Sequence, residues 1–416
     1  MTRDTRMLFI STYPPQHCGI ATFTQHLIDA LPRNGSPRDV RVAAIVSEDE
    51  HPEFDDRVVH QIDNSRPTAY FEAAEFANTS NIDVVCLQHE FGLFSGESGR
   101  DVVSFLKACH KPVVTTLHTI LPEPSDVQQE VLQAVGRHSR RVVAMANVGI
   151  DLLAQRYGLS RSKMVFIPHG VPQVVPADRE AVRRRLGLQD HRVILTFGLL
   201  GRGKGIEYMV DALPEIRRRH PNVLYLVLGR THPNVLRGEG EAYRDELSRR
   251  AADLGVTENL RFINRFITDD ELVPYLQACD VYVTPYLGRD QITSGTLSYA
   301  MAAGCAVVST PYLYAEELLA DGRGRLAAFR NGASLAAEVN AVLGDAVLQS
   351  RLMGHAYTYA RSMSWRNAGK RYQELFATVA QTRALAARKP RAGSKAEPWA
   401  APRVNGPADR PTVQGT

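Results

Sequence analysis

Apolar residues in this chain come in short runs, separated by stretches of helical period. Met7–Ile10, Val42–Val46, Val84–Leu87, Val113–Leu117 and Val142–Ala146 read as buried strands. Between several of them lie candidate helices at Ala21–Leu31, Ala69–Asn78 and Asp101–Cys109. Such alternation predicts a parallel sheet covered on both faces. Val165–Ile167 then runs into Pro168, His169, Gly170, Val171 and Pro172, which is turn chemistry. The pattern restarts with Val193–Phe197, Val223–Leu228, Leu260–Ile263, Val281–Val283 and Ala306–Val308 as strands. Helices are predicted at about Gly205–Arg219, Glu241–Leu254, Asp269–Ala278 and Thr296–Ala303.

The fold class is therefore α/β, with two doubly wound Rossmann-like domains over 1–172 and 173–361. A last helical pattern at about 362–383 holds Trp365, Tyr372, Leu375 and Phe376. The seam falls near Pro168–Pro176. The Pro-, Ala- and Arg-rich stretch 386–416 lacks periodicity and reads as disordered. Ligands of such sheets sit outside the carboxyl ends of the strands, so the cleft between the two domains is the expected site.

The chain has 416 residues, 44% hydrophobic and 23% charged, which suits a soluble protein with a sizeable core. A net charge of +4, with both signs interspersed, gives no case for nucleic acid. Arg183–Arg185 and Arg217–Arg219 read as solvated helix faces, with anionic lipid heads as a minor reading. The N-terminus lacks a signal peptide pattern, and no run approaches the ~20 apolar residues of a membrane span. The expected location is the cytoplasm, with peripheral contact at the inner membrane face left open. The five cysteines show no metal-ligand spacing and read as reduced thiols.

The stretch Thr284–Thr310, TPYLGRDQITSGTLSYAMAAGCAVVST, carries the clearest chemistry. It reads as strand, loop, helix and strand, with Ser294, Gly295 and Thr296 opening the helix. Unpaired amides and a positive dipole end suit a phosphate there, although Ser and Thr also serve as plain N-caps. Lys204 and Arg202 lie among glycines 198, 201, 203 and 205 and are candidates for a diphosphate. His118 and His89-Glu90 each end a strand at the carboxyl edge. His89 and Glu90 are candidates for acceptor binding. A metalloprotease reading fails, because no second His follows at helical spacing. His169 before Gly170 reads as hinge architecture.

Six segments in order resemble the retaining glycosyltransferases of family 4, which have the GT-B fold. They are STYPPQHCGIATFTQHLIDAL with Cys18-Gly19, TTLHT with His118, IPHGV, FGLLGRGKGIEYMVDAL, the Asp280–Thr310 block with AMAAGCAVVST, and the Trp365 segment. The resemblance implies transfer of a hexosyl group from a UDP- or GDP-linked nucleotide sugar to a sugar, polyol or glycan acceptor. It also implies retention of configuration and no metal or other cofactor. It places Gly19 and His118 near the donor sugar, and Arg202 and Lys204 at the phosphates. A glutamate of relatives falls near Glu316-Glu317, whose other reading is helix-start acids. Two glutamates usual in the family align with Gln291 and Tyr299 here, and a usual Arg after Gly198 is Leu199. The resemblance thus implies a divergent branch with altered donor contacts. A degenerate nucleotide-sugar sensor, an epimerase or a glycan phosphorylase on the same fold are the alternatives.

Overall fold

The computed structural model describes residues 5–32, 40–47 and 52–388. In the first half, the elements run β1 (Met7–Ser11), α1 (Gly19–Ala30), β2 (Val40–Val46), β3 (Val58–Asp63), α2 (Ala69–Thr79) and β4 (Val84–His89). They continue with α3 (Val102–Ala108), β5 (Val113–Leu117), α4 (Asp126–His138), β6 (Arg141–Ala144), α5 (Asn147–Gln155) and β7 (Met164–Phe166). These strands form a seven-stranded parallel sheet in the order β3-β2-β1-β4-β5-β6-β7. Its two faces are buried under helices, which is why the central strands are apolar for most of their length.

The second half begins with α6 (Arg179–Leu186), β8 (Arg192–Phe197), α7 (Ile206–Arg219), β9 (Val223–Leu228), α8 (Pro233–Glu239) and α9 (Ala242–Asp253). It continues with β10 (Leu260–Ile263), α10 (Asp269–Ala278), β11 (Val281–Thr284), α11 (Gly295–Ala302), β12 (Val307–Ser309), α12 (Leu313–Leu318) and β13 (Arg325–Leu326). Helices α13 (Gly332–Gly344), α14 (Ala346–Ala360) and α15 (Trp365–Arg388) complete it. Its strands form a six-stranded parallel sheet, β10-β9-β8-β11-β12-β13.

The chain crosses between the sheets twice, and the crossings lie side by side. The amide of Val171 donates to Met363 O at 3.1 Å, and that of Trp365 donates to Val171 O at 2.8 Å. Gly170 is needed there, because a Cβ would lie 2.0 Å from the Trp365 ring. Beyond the crossing, α15 packs on the first sheet through Ala368, Tyr372, Phe376 and Val379. The Tyr372 hydroxyl reaches the Thr116 hydroxyl on β5 at 2.9 Å. The two parallel sheets are the architecture expected from the alternation.

Three details differ from the sequence reading. The edge strand β3, VVHQID, is half-exposed and mostly polar-lined, so no buried run announces it. The two-residue β13 is too short to show a pattern. Residues 386–388, read as part of a disordered tail, belong to α15; the remainder of that stretch lies outside the described residues. Among the described residues, no helix is long and apolar enough to cross a membrane.

Candidate active site

Each sheet reverses its strand order once, between β1 and β4 in the first and between β8 and β11 in the second. Loops leaving the carboxyl ends at such points splay apart and open a crevice. The two crevices face each other. Between them lie two adjoining cavities of about 950 and 360 Å³. Both are lined by Gly19 and Phe23 from one domain and by Leu199, Arg230, Gly295 and Thr296 from the other.

Gly19 starts α1, and the preceding Cys18 provides no side-chain cap. Gly295 starts α11, where Ser294 Oγ takes only the Leu297 amide, at 3.3 Å. Two helix N-termini, one from each domain, therefore point their open amides and positive dipole ends into the same cleft. Thr296 is held by its hydroxyl, 2.8 Å from Tyr286 OH and 3.1 Å from Ser294 Oγ.

Lys204 closes the short turn Arg202–Lys204 and lines the smaller cavity. Its ammonium lies 4.1 Å from the centre of the Tyr286 ring. Gly205, with φ of +64°, makes this possible: a Cβ would lie 2.1 Å from Pro285 O. The turn is thereby pressed against the loop after β11, and Leu287 N donates to Gly203 O at 3.1 Å.

On the opposite wall, His118 Nε2 meets Gln88 Oε1 at 2.9 Å, and its ring stands edge-on to Phe23 with centroids 4.9 Å apart. Burial pushes this imidazole down to about 3, with His169 and His89 adding to the effect. It is a neutral hydrogen-bonding group. Glu90 lines the larger cavity, accepts from the Phe91 amide at 3.0 Å and from the Thr119 hydroxyl, and is raised by burial above the ordinary carboxylate range.

His169, read as hinge architecture, lines both cavities. Its ring packs edge-on to Phe23 and Tyr299, and Nδ1 meets Gly170 O at 2.7 Å. Burial lowers it to about 4. The hinge places an imidazole beneath the start of α11, where a Cβ on Gly295 would lie 3.1 Å from Nε2.

Five of the residues singled out from the sequence stand elsewhere than expected, and Tyr299 is at the cleft with its hydroxyl already engaged. Arg202 turns away from the cleft to Glu239 at 3.0 Å and Glu246 at 2.7 Å, an exposed pairing that satisfies its fork locally. Gln291 donates to Thr293 O at 2.9 Å within its own loop and lines neither cavity. The Tyr299 hydroxyl lines the smaller cavity but is engaged with His26, Asp269 and Trp365. Glu316 lies near Arg289 on the outside, at 3.9 Å. Glu317 accepts the amides of Asn147 and Val148, both at 2.9 Å, and so caps α5 of the other domain. His89 is fully buried, stacked beside Phe94, and neither ring nitrogen has a partner among the described residues.

Sequence reasoning missed Arg230 and His232 in the cleft wall. The signal was present: both follow directly on the apolar run of β9, at the carboxyl edge that drew attention to His118. Among the described residues, no group of three or more His, Cys, Asp or Glu side chains could hold a metal ion.

Comparison with known proteins agrees with this architecture. Residues 18–173 match the family described as Glycosyltransferase Family 4, and residues 191–345 match the family described as Glycosyl transferases group 1. The chain is 28% identical over 278 residues to the phosphatidyl-myo-inositol mannosyltransferase of Mycolicibacterium smegmatis, covering 66% of this chain and 67% of that one. Among solved structures, Anabaena HepE in complex with UDP superposes with a TM-score of 0.72 at 18% identity, covering 90% of this chain and all of that one. Sucrose-phosphate synthase from Thermosynechococcus elongatus gives 0.71 at 16% identity, with 92% of this chain and all of that one covered. With one match on each sheet and GT-B neighbours over the whole, the chain is a glycosyltransferase of the family 4 type on the GT-B fold.

Proposed function

We propose that this enzyme transfers a hexosyl group from a UDP- or GDP-linked sugar to a sugar, polyol or glycan acceptor, with retention of configuration and without a metal ion. The observation that carries the reading is the convergence of two helix N-termini, α1 and α11, with the Lys204 ammonium on one cleft. That arrangement matches a diphosphate, which needs donors and positive charge from several directions.

In the transfer, the bond from the anomeric carbon to the donor diphosphate breaks while the acceptor oxygen bonds to the same carbon. The acceptor proton passes to the departing phosphoryl oxygen. Negative charge grows on the diphosphate, so groups that hold it more tightly as the bond breaks accelerate the reaction. Lys204 and the amides of Gly295 and Thr296 are placed for this role. They would provide, without a metal, part of the positive charge that the leaving group needs. His118, neutral and anchored to Gln88, suits hydrogen bonding to sugar hydroxyls. The larger cavity, bordered by Glu90, is the space for the acceptor. UDP bound to HepE, and mannosyl transfer by the mycobacterial relative, support a nucleotide-sugar donor without choosing the base or the sugar.

A thermal-shift panel of nucleotide sugars tests the reading. One or more should stabilise the protein, and the anomeric configuration of the product, read by NMR, should equal that of the donor. Absence of any stabilisation, or an inverted product, would contradict it.

A further inference from the structure

A departing nucleoside diphosphate carries more negative charge than one ammonium and two helix ends neutralise. The cleft therefore calls for a second cation. Arg202 does not supply it, because both edges of its guanidinium are occupied by Glu239 and Glu246. Residue 199, in the turn directly after β8, is an uncharged leucine.

Arg230 stands beside that leucine, on the neighbouring strand end. Its backbone is fixed on both sides. Leu200 N donates to Arg230 O at 2.9 Å, and Leu200 bridges to Thr231 in parallel register. Gly229, with φ of +130°, lies so close to the β8 turn that a Cβ would meet Gly198 O at 2.1 Å. The two strand ends are thus locked together, and residue 230 is delivered to the cleft wall at the level of Leu199. Its side chain is half-buried and lines both cavities. Among the described residues it has no ion pair and no side-chain hydrogen bond. The nearby Arg244 provides the contrast: it is held by Glu241 at 3.1 Å and Asn264 at 2.8 Å, as structural arginines are. A guanidinium with no protein partner, standing at the wall of the cleft, keeps its donors available to an anion.

We infer that Arg230 is the guanidinium that binds the donor diphosphate in this enzyme, taking the place left uncharged at Leu199. The inference rests on the reading of the cleft as a nucleotide-sugar site. The planar fork of Arg230 can reach oxygens of two phosphoryl groups at once, opposite the point charge of Lys204. Because the charge it meets grows as the glycosidic bond breaks, its loss falls on kcat more than on KM.

Calorimetric titration of the full chain with UDP, GDP, the two nucleosides and inorganic pyrophosphate tests this. Arg230→Ala should weaken the preferred nucleoside diphosphate and pyrophosphate at least tenfold while leaving the nucleoside within twofold. Arg202→Ala should change none of them by more than twofold. Leu199→Arg added to Arg230→Ala should recover binding of the diphosphate, an outcome that a merely structural Arg230 would not give. Unchanged diphosphate affinity in Arg230→Ala, or equal loss of nucleoside and diphosphate, would overturn the proposal. Wild-type protein that binds pyrophosphate through Arg230 but neither nucleotide would uphold the anion site and overturn the nucleotide-sugar reading instead. Wild-type protein that binds none of these ligands would overturn both.

Discussion

The Tyr299 hydroxyl on α11 lies 3.1 Å from His26 Nδ1 on α1, a hydrogen bond that joins the two domains at the smaller cavity. The same hydroxyl donates to Asp269 at 3.1 Å and accepts from the Trp365 indole at 3.4 Å. With its one proton given to Asp269, it accepts from both other groups, and its hydrogen bonding is complete. Tyr299 therefore acts on the relative position of the domains. Tyr299→Phe keeps the ring and removes the tie. Its expected effect is about a tenfold rise in donor KM, from the loss of ~1–2 kcal/mol of hydrogen bonding in the closed arrangement. Steady-state kinetics reads this, and small-angle scattering should show a wider average opening.

Lys204 and Arg202 lie two residues apart and should behave oppositely. Lys204→Ala should lower kcat by about a hundredfold or more, the usual cost of deleting a group that stabilises developing charge. Arg202→Ala should stay within twofold in turnover. Its side chain is 50% exposed, pairs with surface carboxylates and lies 5.4 Å from the Tyr243 ring centre, so the melting temperature should change little. Parallel kinetics and melting curves check both.

His89 lines neither cavity, so its substitution should bear on stability and not on binding. Burial pushes its imidazole down to about 4. In the unfolded chain the group titrates near ~6.5. Below that pH the unfolded state takes up a proton that the folded state refuses, so stability falls as pH drops from about 6.5 toward 4. His169, lowered to about 4, and His118, lowered to about 3, act in the same direction. Between pH 7.5 and 5, His89→Leu should remove about 2 kcal/mol of this acid loss. At pH 7.5 it should be neutral or stabilising, because two unpartnered buried nitrogens disappear. Urea denaturation at pH 5 and 7.5 measures both limbs, and acceptor KM should not move.

Glu317 holds the first amides of α5 across the domain boundary. Glu317→Ala removes that cap, and a loss of about 1–2 kcal/mol is expected in thermal unfolding. Donor binding should be unaffected, since Glu317 lines neither cavity.

The core strands were legible because burial on both faces leaves continuous apolar runs such as Val84–Leu87 and Val223–Leu228. Strand β3 escaped because an edge strand mixes buried and exposed positions, and β13 because two residues carry no period. In the site, the rule that ligands gather at strand ends located Gly19, Glu90, His118, Lys204, Gly295 and Thr296 at the cleft. It could not give side-chain direction. The partners of Arg202, Glu239 and Glu246, lie 37 and 44 residues away in sequence, and those of Glu317 lie about 170 residues away. Only the fold brings such groups together. Arg230 was less legible because no glycine-rich loop marks it: it lies at the edge after β9, where only the strand-end rule points to it.

The most direct test of the cleft as a nucleotide-sugar transfer site is the rate of nucleoside diphosphate release from a panel of UDP- and GDP-hexoses, with and without mixed sugar and polyol acceptors. The wild-type enzyme should release nucleotide from one donor, faster with an acceptor present, and Lys204→Ala should release it at least a hundredfold more slowly. Equal release by Lys204→Ala, or no release by the wild type from any donor, would contradict the account.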